Sequence, residues 1–158
     1  MDKIYCGRDD FHNYIVDLTE HYIDLGKESN YLRFANYVHP DAIKQWVESL
    51  YNHNHNHYEN YWIFYKINEK ITTVGHLLIF NDNTAEFFLT VSDDYQQQGY
   101  GSSMVDDLIE WASEFEIKLI ECVCTKDNKN MITILKKNGF IINESKEFIN
   151  EYISHLKI

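Results

Sequence analysis

The chain has 158 residues, enough for one domain whose core needs no disulfide staple. Apolar residues make up 44% and aromatics 15%, which excludes a disordered chain, and no apolar run approaches the ~18 residues of a membrane-spanning helix. With 25 acidic and 14 basic side chains the net charge is −11, which argues against nucleic-acid and anionic-membrane partners and either favours cationic ones, amines among them, or serves solubility alone.

Residues 1–8 lack the long apolar core of a signal peptide, so the expected location is the cytoplasm. A first strand precedes two helices. Phe11, Tyr14, Ile15, Leu18 and Tyr22 recur at spacings of three and four, which predicts a helix over 10–25. Pro40 opens a second, to about residue 51, with Ile43, Trp46, Val47 and Leu50 on its inner face. A low-complexity run over 52–57 follows. In an extended chain its His53, His55 and His57 would share one side, a geometry able to hold a transition metal. No carboxylate or Cys motif accompanies them, so an exposed loop without metal is the expectation.

Residues 61–67 and 71–80 are aromatic and β-branched around Asn68, Glu69 and Lys70, which predicts a hairpin. Asn81, Asp82 and Asn83 make a second turn, and 85–91 a third strand. His76, after Gly75 within a strand, reads as structural rather than catalytic. A polar loop over 92–100 leads into a helix over 101–115, striped by Val105, Leu108, Ile109 and Ala112. The strand over 118–124 carries Cys122 and Cys124 at one parity. With Cys6 they form an odd set without C-x-x-C, which points to buried reduced thiols. A helix over 128–138 ends at Gly139, and 140–142 and 150–156 are weaker strands. This order predicts a single α/β (α+β) domain over 1–158: a mixed, mostly antiparallel sheet with helices on both faces.

Gln96-Gln97-Gln98-Gly99-Tyr100-Gly101-Ser102 lies between an apolar strand and an amphipathic helix. Glycines let backbone N–H groups approach a ligand closely. The first N–H groups of a helix have no internal partner. With the helix dipole they form a site suited to a pyrophosphate. The run is neither G-x-G-x-x-G nor G-K-[ST], so Rossmann and P-loop readings are poor.

The stretch from Val91 through Ser92-Asp93-Asp94-Tyr95 to Gly101 resembles the acetyl-CoA loop of the GNAT superfamily of N-acetyltransferases. That pattern is an apolar strand ending in Val, then Arg/Gln-x-x-Gly-x-Gly/Ala. Asn128, eleven residues before Gly139-Phe140, matches the family's second signature. Ala85-Glu86, Asp93-Asp94-Tyr95-Gln96 and Asn128-x-x-Met131-x-x-x-Leu135 look like bacterial protein lysine acetyltransferase modules. So does Glu28-Ser29-Asn30-Tyr31-Leu32-Arg33-Phe34.

The resemblance implies the GNAT fold and transfer of an acetyl group from acetyl-CoA to a primary amine; no Ser-His-Asp or Cys-His motif appears, which points to direct attack on the thioester. The acceptor would be a protein lysine or a small polyamine-like cation. Backbone groups of Leu89, Thr90 and Val91 would pair with the pantetheine and polarise the thioester carbonyl. Gln96, Gln97, Gln98, Gly99, Tyr100, Gly101 and Ser102 would hold the pyrophosphate, and Asn128 the pantetheine side. This loop lacks the cation that many relatives place there. Lys126, Lys129, Lys136 and Lys137 either help or form a solvated helix face. The resemblance nominates Glu86 as the base. A lysine-type amine has a pKa of ~10.4, so freeing its lone pair at pH 7 costs roughly 4–5 kcal/mol, which a carboxylate of raised pKa can offset. The alternative for Glu86 is a solvated charge at a strand start.

Many members carry a Tyr seven residues after the Asn, as acid for the departing thiolate. Leu135 stands there, as an apolar residue often does in the protein-acetylating subgroup. A thiol of pKa ~8.5 leaves tolerably without that acid. Leu135 and the neutral loop also fit a catalytically silent acyl-CoA-binding module. Acceptor pockets in this superfamily come from variable segments, here 24–40 and 143–150. Monomer and homodimer are both open.

Overall fold

The computed structural model describes residues 1–52 and 57–158, so His53 and His55 lie outside the described residues. His57 is exposed just before a strand.

Three strands, β2 (Tyr58–Ile67), β3 (Lys70–Phe80) and β4 (Thr84–Val91), form an antiparallel meander with β1 (Asp2–Cys6) on its outer edge. Asn68 and Glu69, at φ 50° and 65°, make the first connection a two-residue loop. Two left-handed residues match the strand twist there. β5 (Leu119–Thr125) lies parallel to β4. β6 (Ile141–Glu144) forms the far edge, because β7 (Glu151–Lys157) inserts between it and β5.

The helices α1 (Arg8–Phe11), α2 (Ile15–Ile23), α3 (Lys27–Phe34) and α4 (Pro40–Asn52) precede the meander. The helices α5 (Tyr100–Glu114) and α6 (Lys129–Lys137) flank β5 in sequence. Trp62-Ile63-Phe64-Tyr65 is buried throughout, and its alternation explains why. Trp62 and Phe64 face a core with Phe11, Leu18, Tyr22, Ile43 and Val47. Ile63 and Tyr65 face a second core with Phe87, Met104, Leu108 and Leu135. The sheet is thus covered on both sides. Cys122 and Cys124 are buried in the second core, and Cys6 in the first, all as free thiols.

The helix expected over 10–25 is two helices, with Tyr14 as the N-cap of the second. A further helix, α3, went unread in the sequence. Asn30 is its one buried residue, so it presents no apolar stripe. The buried Asn30 amide instead exchanges two hydrogen bonds with the Val38 backbone, at 2.9 and 3.1 Å. Those bonds hold the link from α3 to α4. Ala35, at φ 55°, terminates α3 in a left-handed conformation.

Asp107 joins β1, β2 and α5 across the second core. The Tyr65 hydroxyl donates to its Oδ2, and Lys3 Nζ donates to Oδ1 at 2.9 Å. Burial and that bond push the Tyr65 phenol well above its ordinary range. Asp107→Ala leaves a fully buried hydroxyl unpaired, and urea unfolding is expected to show a loss of about 2 kcal/mol. Lys3→Met removes a half-exposed partner and is expected to cost below ~1 kcal/mol.

Candidate active site

β4 and β5 pair over three registers, Thr84 with Leu119, Ala85 with Ile120 and Glu86 with Glu121, and no further. Both strands continue, β4 to Val91 and β5 to Thr125, so the sheet opens between them. A cavity of about 370 Å³ lies along the end of β4, between it and α6. Leu89, Thr90 and Val91 form one wall, and Asn128, Met131 and Ile134 the other. Gln96, Gln97, Gly99, Gly101 and Ser102 close one end, while Ser29, Leu32 and Arg33 of α3 line a third side.

The two glycines act differently. Gly99 is the N-cap of α5 at φ 90°, and no heavy atom lies within 4 Å of where its Cβ would stand. It therefore gives both a left-handed turn and an uncovered backbone. Gly101 sits against packed atoms: a Cβ there would stand 3.1 Å from Ile134 Cδ1 and 3.7 Å from Leu89 Cδ2. It lets the start of α5 close on β4 and α6, which aims the first N–H groups of a 15-residue helix at the cavity.

Most of the residues nominated for ligand binding meet on this cavity. Gln98, Tyr100 and Glu86 do not line it. Gln98 Nε2 donates to the Asp94 carbonyl at 2.9 Å, and Tyr100 lies edge-on to Tyr95. Gln96 lines the cavity, yet its Nε2 is engaged by the Val91 carbonyl at 3.0 Å and Ser29 Oγ at 2.9 Å. Its side chain acts as a brace. Asn128 caps α6, its Oδ1 accepting from Met131 N at 3.1 Å. Of the four lysines, Lys137 reaches the loop, its Nζ 3.5 Å from Ser102 Oγ. Lys126 pairs with Glu144 at 2.8 Å, and Lys129 donates to the Lys126 carbonyl. Leu135 is fully buried in the core, so the position of the usual acid holds packing alone.

Sequence reasoning did not assign Asp93 or His21. Asp93 accepts from Gly26 N at 3.1 Å and Ser29 Oγ at 2.7 Å, which ties α3 to the loop after β4. Gly26 suits that approach, since a Cβ would fall 2.2 Å from Asp93 Oδ2. His21 holds the end of β4, with Nε2 2.8 Å from Thr90 Oγ1 and Nδ1 3.2 Å from Ser92 Oγ. Burial lowers its pKa to about 4 despite the neighbouring Ile71 carbonyl. The stretch 24–40, expected near the acceptor, does line the cavity through α3; no residue of 143–150 does.

Glu86 lies beside Leu78 on β3 and Glu121 on β5. Burial pushes its carboxyl above the ordinary range, the Glu121 charge adds to the rise, and Arg33 opposes it. A carboxyl so displaced accepts a proton more readily than a solvated one.

These features define a mixed α/β fold with a candidate ligand cleft along the end of β4, at the start of a glycine-marked helix. The chain belongs to the GNAT acetyltransferase family: the acetyltransferase (GNAT) domain profile matches residues 15–141. No curated protein matches the chain by sequence. Among solved structures it is similar to the GNAT domain of Streptomyces lividans PAT, at 17% identity and a TM-score of 0.79, over 99% of this chain and 89% of that one. It is also similar to the Salmonella typhimurium acetyltransferase that modifies the N-terminal serine of ribosomal protein L7/L12. There identity is 16% and TM-score 0.71, over 99% and 95% of the two chains. A ribosomal-protein-alanine N-acetyltransferase from Brucella melitensis matches over both whole chains at 12% identity and a TM-score of 0.65. At these identities the likeness speaks to the fold. Among the described residues, no helix is long and apolar enough to cross a membrane, and no cluster of three or more His, Cys, Asp or Glu side chains could hold a metal ion.

Proposed function

We propose that this chain transfers an acetyl group from acetyl-CoA to a primary amine. The observation that carries the reading is a cavity running along the end of β4, which pairs with β5 no further than Glu86–Glu121, to the start of α5. The chain's residues fit the coenzyme: the uncovered backbone at Gly99 and the first amides of α5 suit a diphosphate. Lys137, beside Ser102, supplies the cation that the glutamine loop lacks. Asn128 keeps its Oδ1 on the α6 cap, which leaves Nδ2 for the pantetheine. When bound, acetyl-CoA supplies an activated acyl group. The chain's part is to aim it along β4 and to accept the amine's proton at Glu86.

Family membership and the raised Glu86 carboxyl favour a working enzyme over a silent binding module. Thiol release from acetyl-CoA over a panel of amines and lysine peptides tests this; uptake of acetyl-CoA without release on any acceptor would overturn it. Lys137→Glu reverses a charge beside the proposed diphosphate site. Calorimetry is expected to show acetyl-CoA affinity lowered about tenfold, the gap narrowing as salt rises. An unchanged affinity would remove Lys137 from the site.

A further inference from the structure

Among the described residues Arg33 is a cation without a counter-ion. It lines the cleft from α3. Its guanidinium carbon lies 4.6 Å from the Phe88 ring, 5.0 Å from Phe34, 5.3 Å from Trp46 and 5.8 Å from Tyr22. Among the described residues no carboxylate comes within ion-pair distance of it. Its Nε is buried and has no hydrogen-bond partner. The chain carries 25 acidic side chains, so the lack of a partner is not for want of carboxylates.

Aromatic faces attract a guanidinium and fix its plane, but they do not satisfy its N–H groups as an oxygen acceptor does. Glu86 is near enough for its titration to respond to Arg33, yet it forms no ion pair with it. The result is a flat, pre-oriented fork on the cleft wall, on the same side of the sheet as the proposed base. The group that matches such a fork is a carboxylate, bound through two parallel hydrogen bonds.

We propose that Arg33 binds a carboxylate carried by the acceptor, so that the amine substrate is an amino acid or a similarly carboxylated amine. The inference rests on the acetyl-transfer reading above. Arg33 would hold the carboxylate while Glu86 takes a proton from the amine. The nitrogen then bonds to the acyl carbon, the carbon–sulfur bond breaks, and the electron pair leaves with the coenzyme thiolate. Polyamines fit this wall poorly, since they bring positive charge to Arg33 and no anion.

The test pairs free amino acids with their decarboxylated amines, among them lysine with cadaverine and phenylalanine with phenethylamine, and follows thiol release from acetyl-CoA. The carboxylated member of a pair is expected to have at least tenfold higher kcat/KM. Arg33→Gln is expected to cut that ratio at least tenfold, mainly through KM, and Arg33→Lys to restore part of it. Calorimetry with the free amino acid should show weaker binding to Arg33→Gln, a readout independent of turnover. Equal use of both members of every pair, or equal losses for both in Arg33→Gln, would overturn the proposal. A carboxylate on the acyl group is the other source. Selective loss of succinyl-CoA use with a plain amine in Arg33→Gln would move the carboxylate there and overturn the acceptor assignment. Acetyl-CoA binding with no release on any amine would instead overturn the transfer reading itself.

Discussion

Glu86→Gln is expected to lower kcat at neutral pH by about a hundredfold or more, with acetyl-CoA affinity unchanged by calorimetry. The amide keeps the shape of the side chain and removes its basicity. Glu86 stands off the cleft wall that would hold the coenzyme, which is why binding and turnover should separate. The pH profile adds a second, independent reading. The base works ionised, so the rate should rise with pH through the Glu86 carboxyl, at a pH above the ordinary carboxylate range. Glu121→Gln removes a like charge and should move that acid limb to lower pH. Arg33→Gln removes an opposing charge and should move it to higher pH. A normal kcat in Glu86→Gln, or a limb that neither neighbour moves, would dismiss Glu86 as the base.

Acid should weaken the fold, through two buried histidines. The His21 pKa is lowered by burial from 6.5 to about 4, and that of His76 by burial and then Arg33 to about 3. As pH falls below 6.5 the unfolded chain takes up protons that the folded chain refuses. Stability is therefore complete above 6.5 and is lost as pH falls towards the folded values. At ~1.4 kcal/mol per pKa unit, His21 alone accounts for roughly 3 kcal/mol, and His76 adds to it. Glu86, raised in the folded state, acts in the opposite sense at the acid end. Urea unfolding at pH 7 and pH 4.5 is expected to show the loss. His21→Asn and His76→Asn should each flatten its pH slope. A slope that persists undiminished in both variants would assign it to other groups.

These histidines also show where sequence reading stops. His76 follows Gly75 in a strand and reads as structural. Its stacking on Trp62 and its 2.8 Å contact with Asn60 give that reading a physical basis. His21 carries no local mark of its task. Its partners Ile71, Thr90 and Ser92 lie 50, 69 and 71 residues away. The same holds for Arg33. Its motif was visible, but α3 lacks an apolar stripe, and three of the four aromatic rings around the guanidinium, Tyr22, Trp46 and Phe88, come from other elements.

The strands, the two flanking helices and the glycine loop follow from alternation, period and local backbone need, which are properties of neighbours in the chain. Gly99 was legible for that reason, since a left-handed cap acts within a few residues, whereas the tight approach at Gly101 involves Ile134 and Leu89, 33 and 12 residues away. The chain's own pattern thus determined a mixed sheet covered on both faces and a glycine-marked helix start. Tertiary structure alone decided that β4 and β5 part after Glu86 and Glu121, that Lys137 rather than Lys126 meets the loop, and that an unpaired Arg33 stands opposite. Each of those outcomes joins residues remote in sequence, where distance, burial and charge are set by packing and no local pattern records them.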